Sequence, residues 1–316
     1  MASLTQSQLQ LLARAAKQQL PRVAFNANWK KLYQIWQIGE PDGAEKYLYL
    51  TAKDYALLRE MAQIDSGLDI LSLDFDVPRQ QMAQQSANEK YANIRPDADH
   101  VLIKLAPNIT QSLLSQSTAE AGVLHFLSGS LRLKVDAAVA LCQQLNIKQL
   151  IVVENLDSFD NLFAYSFTPA LQPIIDNSMV LYRGSHDYSP AGRKRFLHLI
   201  AARELDVIAF TDLDPAGLMI ANTLEHCRSM IVPQWVLEAP DELLAIGQIN
   251  SASDFNKQHK QLTYLNNMLL QASCNTAPQA SQWLKLIQWI ARHHVSIKQQ
   301  HMLANALRLD RIAIDR

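Results

Sequence analysis

Cysteine is scarce in this chain and never paired. Cys142, Cys227 and Cys274 stand far apart, which excludes a disulfide framework and a cysteine zinc site and fits buried thiols in a reducing cytosol. Neither sign of charge predominates: 29 Lys and Arg face 30 Asp and Glu, for a formal net charge of −1. There is no Lys/Arg tail, so a global basic field is excluded and any nucleic-acid contact has to come from a local patch. No window approaches the ~18 apolar residues of a membrane span. The start, Met1-Ala-Ser-Leu-Thr-Gln-Ser-Gln, has neither the basic nor the apolar portion of a signal peptide. A soluble, cytoplasmic protein with no membrane association is expected. Internal repeats and low-complexity tracts are missing beyond scattered glutamine. Gly39 to Lys46 lacks the Gly-Lys-Ser/Thr ending of a phosphate-binding loop, so any ATP-driven step belongs to a partner.

The chain has 316 residues, 48% of them apolar, which suffices for about two domains with sizeable cores. Its most informative stretch runs from Lys148 to Leu224. Lys148-Gln-Leu-Ile-Val-Val-Glu154, Met179-Val-Leu-Tyr-Arg183-Gly184 and Val207-Ile-Ala-Phe-Thr-Asp212-Leu-Asp214 each have the length and composition of a buried parallel strand. Helix-length sequence follows each one. This β-α-β-α-β-α pattern puts acidic residues at the C-terminal ends of the first and third strands, where open α/β sheets bind ligands.

Asp212 and Asp214 are two residues apart, so in extended backbone both carboxylates point to one side. If the first and third strands are neighbours, Glu154 joins them. Three converging carboxylates repel one another unless a cation sits between them. Hard oxygen ligands with open positions suit Mg²⁺ or Mn²⁺, an ion that orients a phosphate and activates water. A competing reading makes Asp-Leu-Asp-Pro a helix N-cap and turn.

The densest basic segment begins at the second strand end. Arg183, Arg193, Lys194, Arg195 and Arg203 face Asp187 and Glu204 across it. A Gly-containing loop before a helix presents N–H groups to an anion, and Arg forks suit phosphate. Arg183, Gly184, His186, Arg193 and Arg195 are therefore the expected DNA contacts. Asp187 is a further carboxylate that could approach the metal. The run 193–195 also reads as the wet face of a helix, and Lys194 is assigned to that face.

Glu154-Asn155, Arg183-Gly184 and Asp212-Leu-Asp214-Pro-Ala-Gly217 together resemble a Toprim domain, the metal-binding fold of topoisomerases, primases and certain nucleases. The wording is most similar to the group that holds the topoisomerase VI A subunit and the Wadjet-type, JetD-like nucleases. That resemblance implies an α/β fold: a Rossmann-like parallel sheet flanked by helices over residues 126–240, preceded by an α+β region over 1–125. The first region could hold a winged-helix-like DNA-binding module, and residues 241–316 would be a helical extension packed on the Toprim domain. It further implies a Mg²⁺-dependent DNA endonuclease acting on double-stranded DNA with Glu154, Asp212 and Asp214. Such a nuclease serves an SMC-type ATPase complex in anti-plasmid defence, and a homodimer is one assembly left open.

Two departures bear on this. The relatives carry a Glu-Gln-Glu type motif near the C-terminus, where this chain has Lys298-Gln299-Gln300-His301, and amides cannot replace carboxylate charge at a second metal. The topoisomerase-like alternative needs a tyrosine nucleophile, and none of Tyr33, Tyr47, Tyr49, Tyr55 or Tyr91 lies in an Arg-rich Tyr-Tyr context. A catalytically silent DNA-binding or scaffold subunit is the third reading.

Overall fold

A computed structural model of the protein describes residues 4–94, 97–116, 129–185, 190–274 and 281–315. The chain divides into two compact units, Met1–Pro96 and Asp97–Arg316. The division lies N-terminal to the boundary expected near residue 125. The expected third region, 241–316, is part of the second unit.

In the first unit, helix α1 (Gln6–Gln18) starts with a capping box, Thr5 and Gln8 each bonding the other's backbone. Strand β1 (Arg22–Ala24) follows, then helix α2 (Ala27–Trp36), capped by the Asn26 side chain. Strands β2 (Glu40–Pro41) and β3 (Tyr47–Tyr49) complete an antiparallel sheet of order β1-β3-β2. Helix α3 (Ala52–Ser66) packs on α1, and a short helix α4 (Arg79–Gln85) comes later. One helix stands between β1 and β2, where a helix-turn-helix pair would need two. Leu9, Leu12, Leu32, Leu48 and Met82 are core residues of the unit.

The start of α3 was legible in sequence: Thr51 caps it and Asp54 answers. Thr51 Oγ1 accepts from the Asp54 N–H at 3.2 Å, and the Asp54 carboxylate accepts from the Thr51 N–H at 2.7 Å. Removing the hydroxyl frees an N-terminal amide, which typically costs about 1 kcal/mol. Thr51→Ala is therefore expected to lower stability by about that amount in urea denaturation. A change within error would mean that this helix start does not limit the unit's stability.

The second unit is mixed α/β, with one large, mainly parallel sheet flanked by helices. Its strands are β4 (His100–Leu105), β5 (Leu131–Lys134), β6 (Gln149–Val153), β7 (Ser166–Phe167), β8 (Ser178–Tyr182), β9 (Asp206–Phe210), β10 (Cys227–Pro233) and β11 (Arg308–Ala313). They are ordered β5-β4-β8-β6-β9-β10-β11-β7. At the centre β8, β6, β9 and β10 run parallel; β4 and β11 flank them antiparallel. The four central strands are the continuous apolar runs of the sequence, buried on both faces as such runs require. Helices α5 (Pro107–Gln116) and α6 (Val135–Gln144) flank β5 in sequence, and α7 (Leu156–Asp160) and α8 (Gln172–Ile175) lie between β6 and β8. Helix α9 (Pro190–Ile200) packs on α6 and β4, and α10 (Pro215–Thr223) packs on β10.

Three sheet members differ from the sequence expectation. Strand β4, expected in the first region, pairs with β8 and closes one side of the central sheet. Strand β5 was not among the strands read from the sequence, and β11 lies in a C-terminal segment expected to be a helical extension. Both are interspersed with charge: β5 alternates and carries Arg132 and Lys134, while β11 carries Arg308, Asp310 and Arg311 around the buried Leu309 and Ile312. Those charges give both the look of a solvated segment.

The strand order decides where a site can form. From β6 the chain moves to β8 on one side, then crosses back to β9 on the other and continues to β10. The order reverses between β6 and β9, so a crevice opens beyond the carboxyl ends of those two strands.

Candidate carboxylate site at the switch point

Glu154 follows β6 directly, and Asp212 lies two residues beyond β9. Strands β6 and β9 pair from Gln149↔Asp206 to Val153↔Phe210, and the Glu154 N–H extends the ladder to the Phe210 carbonyl at 2.9 Å. The Glu154 carboxylate accepts from the Asp212 N–H at 3.2 Å. The adjacency expected of the first and third strands is present, and it brings Glu154 and Asp212 together.

Asp214 is placed differently. Strand β9 ends at Phe210, but the backbone stays extended through Asp214 (φ −157°, ψ 174°), with Leu213 bridged to Ile297, and the two aspartates meet different partners. Asp214 is the N-cap of α10, with Pro215 in the first turn. Its carboxylate accepts from Gly217 N–H at 2.8 Å, Gln258 Nε2 at 2.7 Å and Ser296 Oγ at 3.3 Å. The residue is 5% exposed. The bond from Gly217 closes the turn, as the N-cap reading anticipates, and the other two tie Asp214 to distant segments.

The segment that holds both aspartates was not foreseen in this role. Leu213 and Ile297 form an isolated antiparallel bridge, with N–H···O distances of 2.8 and 3.1 Å. On one side of it Ser296 reaches Asp214; on the other the Gln299 N–H donates to the Asp212 carboxylate at 2.8 Å. The fully buried Gln299 side chain then spans both strand ends, donating to the Phe210 carbonyl at 3.2 Å and accepting from Asn155 N–H at 3.1 Å. The buried Tyr165 hydroxyl donates to its carbonyl. The alternation Val295-Ser296-Ile297 was the available signal for a short extended segment here.

Electrostatics follow from this enclosure. Burial raises the Glu154 carboxyl to about 7; Arg183 opposes the rise, and Asp212 and Asp214 add to it. Burial likewise raises Asp212 to about 6, against the Gln299 N–H and the charges of Lys298 and His301. Arg183 Nη2 stands 3.3 Å from Glu154 Oε1. Two desolvated carboxyls that resist ionisation side by side mark a functional site more often than a structural one.

The other expected contacts separate. The Arg193 guanidinium lies beside Arg183, donating to its carbonyl at 3.3 Å. Gly184 is buried, with φ +96°. Arg195 points elsewhere, paired to Asp99 and Asp136, and Lys194 is exposed as expected. His186 and Asp187 lie outside the described residues. Among the described residues no group of three or more His, Cys, Asp or Glu side chains is placed to hold a metal ion. The donor set on offer is the pair Glu154 and Asp212. That suits Mg²⁺, which keeps several waters and takes one or two carboxylates, and does not suit a cage of three.

Among the tyrosines, Tyr55 donates its hydroxyl to the Leu20 carbonyl and Tyr91 to that of Leu4, both rings buried. Tyr33 packs edge-on to Phe25. Tyr47 and Tyr49 are exposed on β3.

A doubly wound α/β unit with a carboxylate pair at its switch point defines the class to which this protein belongs. Within it the chain belongs to a family described as a domain of unknown function (DUF7281), whose profile matches residues 98–311 and so nearly all of the second unit. No curated protein matches the chain. Among the described residues no helix is long and apolar enough to cross a membrane.

Proposed function

We propose that the protein is a Mg²⁺- or Mn²⁺-dependent DNA endonuclease of Toprim type, with Glu154 and Asp212 as the metal-holding pair. The observation that carries this reading is their convergence on adjacent strands at the switch point, both half-buried and both resisting ionisation. Burial is the main cause of both raised pKa values and neighbouring carboxylates add to it, and a cation between the pair would offset both. When bound, the ion would polarise a phosphodiester and activate water. Asp214 acts as a positioning residue that fixes the turn carrying Asp212, while Arg183 and Arg193 supply positive charge for the DNA backbone. The JetD-like resemblance adds an SMC-type ATPase complex as the partner that delivers double-stranded DNA in plasmid defence. Weak intrinsic attraction for DNA, expected of a chain with net charge −1, accords with such delivery.

A second reading, a silent DNA-binding or scaffold subunit, draws on two observations. Lys298-Gln299-Gln300-His301 departs from the Glu-Gln-Glu type motif that the resemblance implies, and Glu154 is paired to Arg183. Plasmid cleavage separates the two. The protein with its ATPase partners, ATP and Mg²⁺ is expected to cut plasmid, and Asp212→Asn to reduce cutting by at least about 100-fold. Cutting should leave no protein on the DNA ends. A protein-linked end would move the answer to a tyrosine nucleophile, with Tyr47 and Tyr49 first to be replaced by Phe. No cutting under any combination would favour the silent subunit.

A further inference from the structure

A buried arginine normally has a carboxylate in hydrogen-bond contact, because an uncompensated charge away from water costs several kcal/mol. Among the described residues Arg193 departs from that rule: its side chain is 11% exposed, and the nearest carboxylate oxygen among them, on Glu225, is 3.9 Å away. Its bond to the Arg183 carbonyl is long, at 3.3 Å. Its Nε is buried with no hydrogen-bond partner among the described residues, as are Arg183 Nε and His100 Nδ1.

Arg193 and His100 share one place. A small cleft there is lined by Asp97, His100, Arg132, Tyr182, Gly184 and Arg193. Arg132 is exposed on β5 and takes part in no ion pair among the described residues. Arg193 also sits in the first turns of α9, at the positive end of that helix, with no acidic residue in the first turn. Basic residues there are disfavoured unless an anion is at hand. Gly192 presses α9 against β4: a Cβ at that position would stand 2.0 Å from the His100 carbonyl oxygen. The cations are therefore held in place by the packing of helix on strand.

We infer that this cleft binds a phosphoryl group of the nucleic-acid backbone, gripped by Arg193 and Arg132 and bordered by His100 and Gly184. The assignment of the phosphate to DNA rests on the nuclease reading; the anion site itself does not. Arginine forks match tetrahedral oxyanions in a two-point contact, and a glycine lets the backbone approach closely. Arg183 links the cleft to the catalytic pair, its carbonyl bonded to Arg193 and its guanidinium beside Glu154. The bound phosphate would thus flank the phosphate that undergoes cleavage. A simpler account makes Arg193 a strut between Arg183 and Glu225; it assigns Arg132 and His100 no part in anion binding.

The test is phosphate binding by the full chain in a chelating buffer, so that its result does not depend on the metal site. Inorganic phosphate, and dimethyl phosphate as a diester, should raise Tm by ligand linkage beyond chloride at equal ionic strength. Arg132→Gln, on an exposed side chain, should weaken phosphate binding about tenfold, and His100→Ala should weaken it too. Arg203→Gln, a surface change elsewhere, should leave it unchanged. No response beyond chloride, or an equal response in Arg132→Gln, overturns the site. A response to inorganic phosphate without one to the diester overturns its assignment to the nucleic-acid backbone.

Discussion

Glu154→Gln is expected to make the metal-free protein more stable at pH 8 and to abolish its response to Mg²⁺. In the folded protein Glu154 titrates at about 7 and Asp212 at about 6, both raised chiefly by burial. Their unfolded values are the ordinary ones near 4. A carboxyl raised on folding helps the fold while it is protonated. That help is complete below about pH 4 and is lost as pH rises through 6 and 7. Without metal, stability should therefore decline between pH 5 and pH 8, by on the order of 2 to 3 kcal/mol for the coupled pair. The amide of Glu154→Gln keeps an acceptor for the Asp212 N–H and has no charge to desolvate, so the decline should shrink. Mg²⁺ should reverse the decline in the unaltered protein, because it binds the ionised pair. Melting curves from pH 5 to 8, in chelator and in excess Mg²⁺, measure both effects. A Glu154→Gln protein less stable than its parent at pH 8 would mean that the Arg183 pair outweighs burial, and would sink the account.

Gly217→Ala should be severe. A Cβ at Gly217 would stand 1.9 Å from the Asp212 carbonyl oxygen and 2.9 Å from Thr211 Oγ1. The first obstacle is backbone, which cannot rotate aside as a side chain can. Either α10 retreats from the turn or the turn itself moves. In the first case the Gly217 N–H leaves the Asp214 carboxylate; in the second, Asp212 loses its place beside Glu154. A loss of about 3 kcal/mol or more is expected, together with loss of the Mg²⁺ response. Gly43→Ala and Gly247→Ala are the controls, since nothing lies within 4 Å of the added carbon at either position. Urea denaturation of the three variants compares them directly. A mild effect at Gly217 would show that the turn can relax without cost, and that the position of Asp212 is not set by this packing.

The central sheet was readable because a strand buried on both faces has to be apolar along its whole length. Gln149–Val153, Ser178–Tyr182 and Asp206–Phe210 are such strands, and the pairing of the first with the third, a condition in the sequence reading, is present. Asp214 was readable only as one of two alternatives. The extended backbone continues to Asp214 and Pro215 then begins a helix, so Asp214 both follows Asp212 along the segment and caps α10. Ser296 and Gln258 were not readable as site residues, and Gln299 was marked only by the resemblance, as part of a stretch that lacks the expected acid. An uncharged amide 44 or 87 positions away along the chain carries no local mark of the carboxylate it will meet. Strand β11 was hidden by its own charges: Arg311 pairs with Asp206 at 2.8 Å, so an apparently solvated residue is tied to the start of β9.

The antiparallel bridge between Leu213 and Ile297 also sets an order of events during synthesis. Glu154 and Asp212 leave the ribosome long before residues 296–299, and proteins fold from the N-terminal side as they emerge. Until that late segment arrives, Asp212 lacks the Gln299 N–H and Asp214 lacks Ser296, so the turn that aims them has no outer strand to lie against. A chain released early would carry both acidic residues and the strands beneath them without the geometry that joins them. For an enzyme proposed to cut DNA, assembly of the site from the last part of the chain would keep unfinished copies inert.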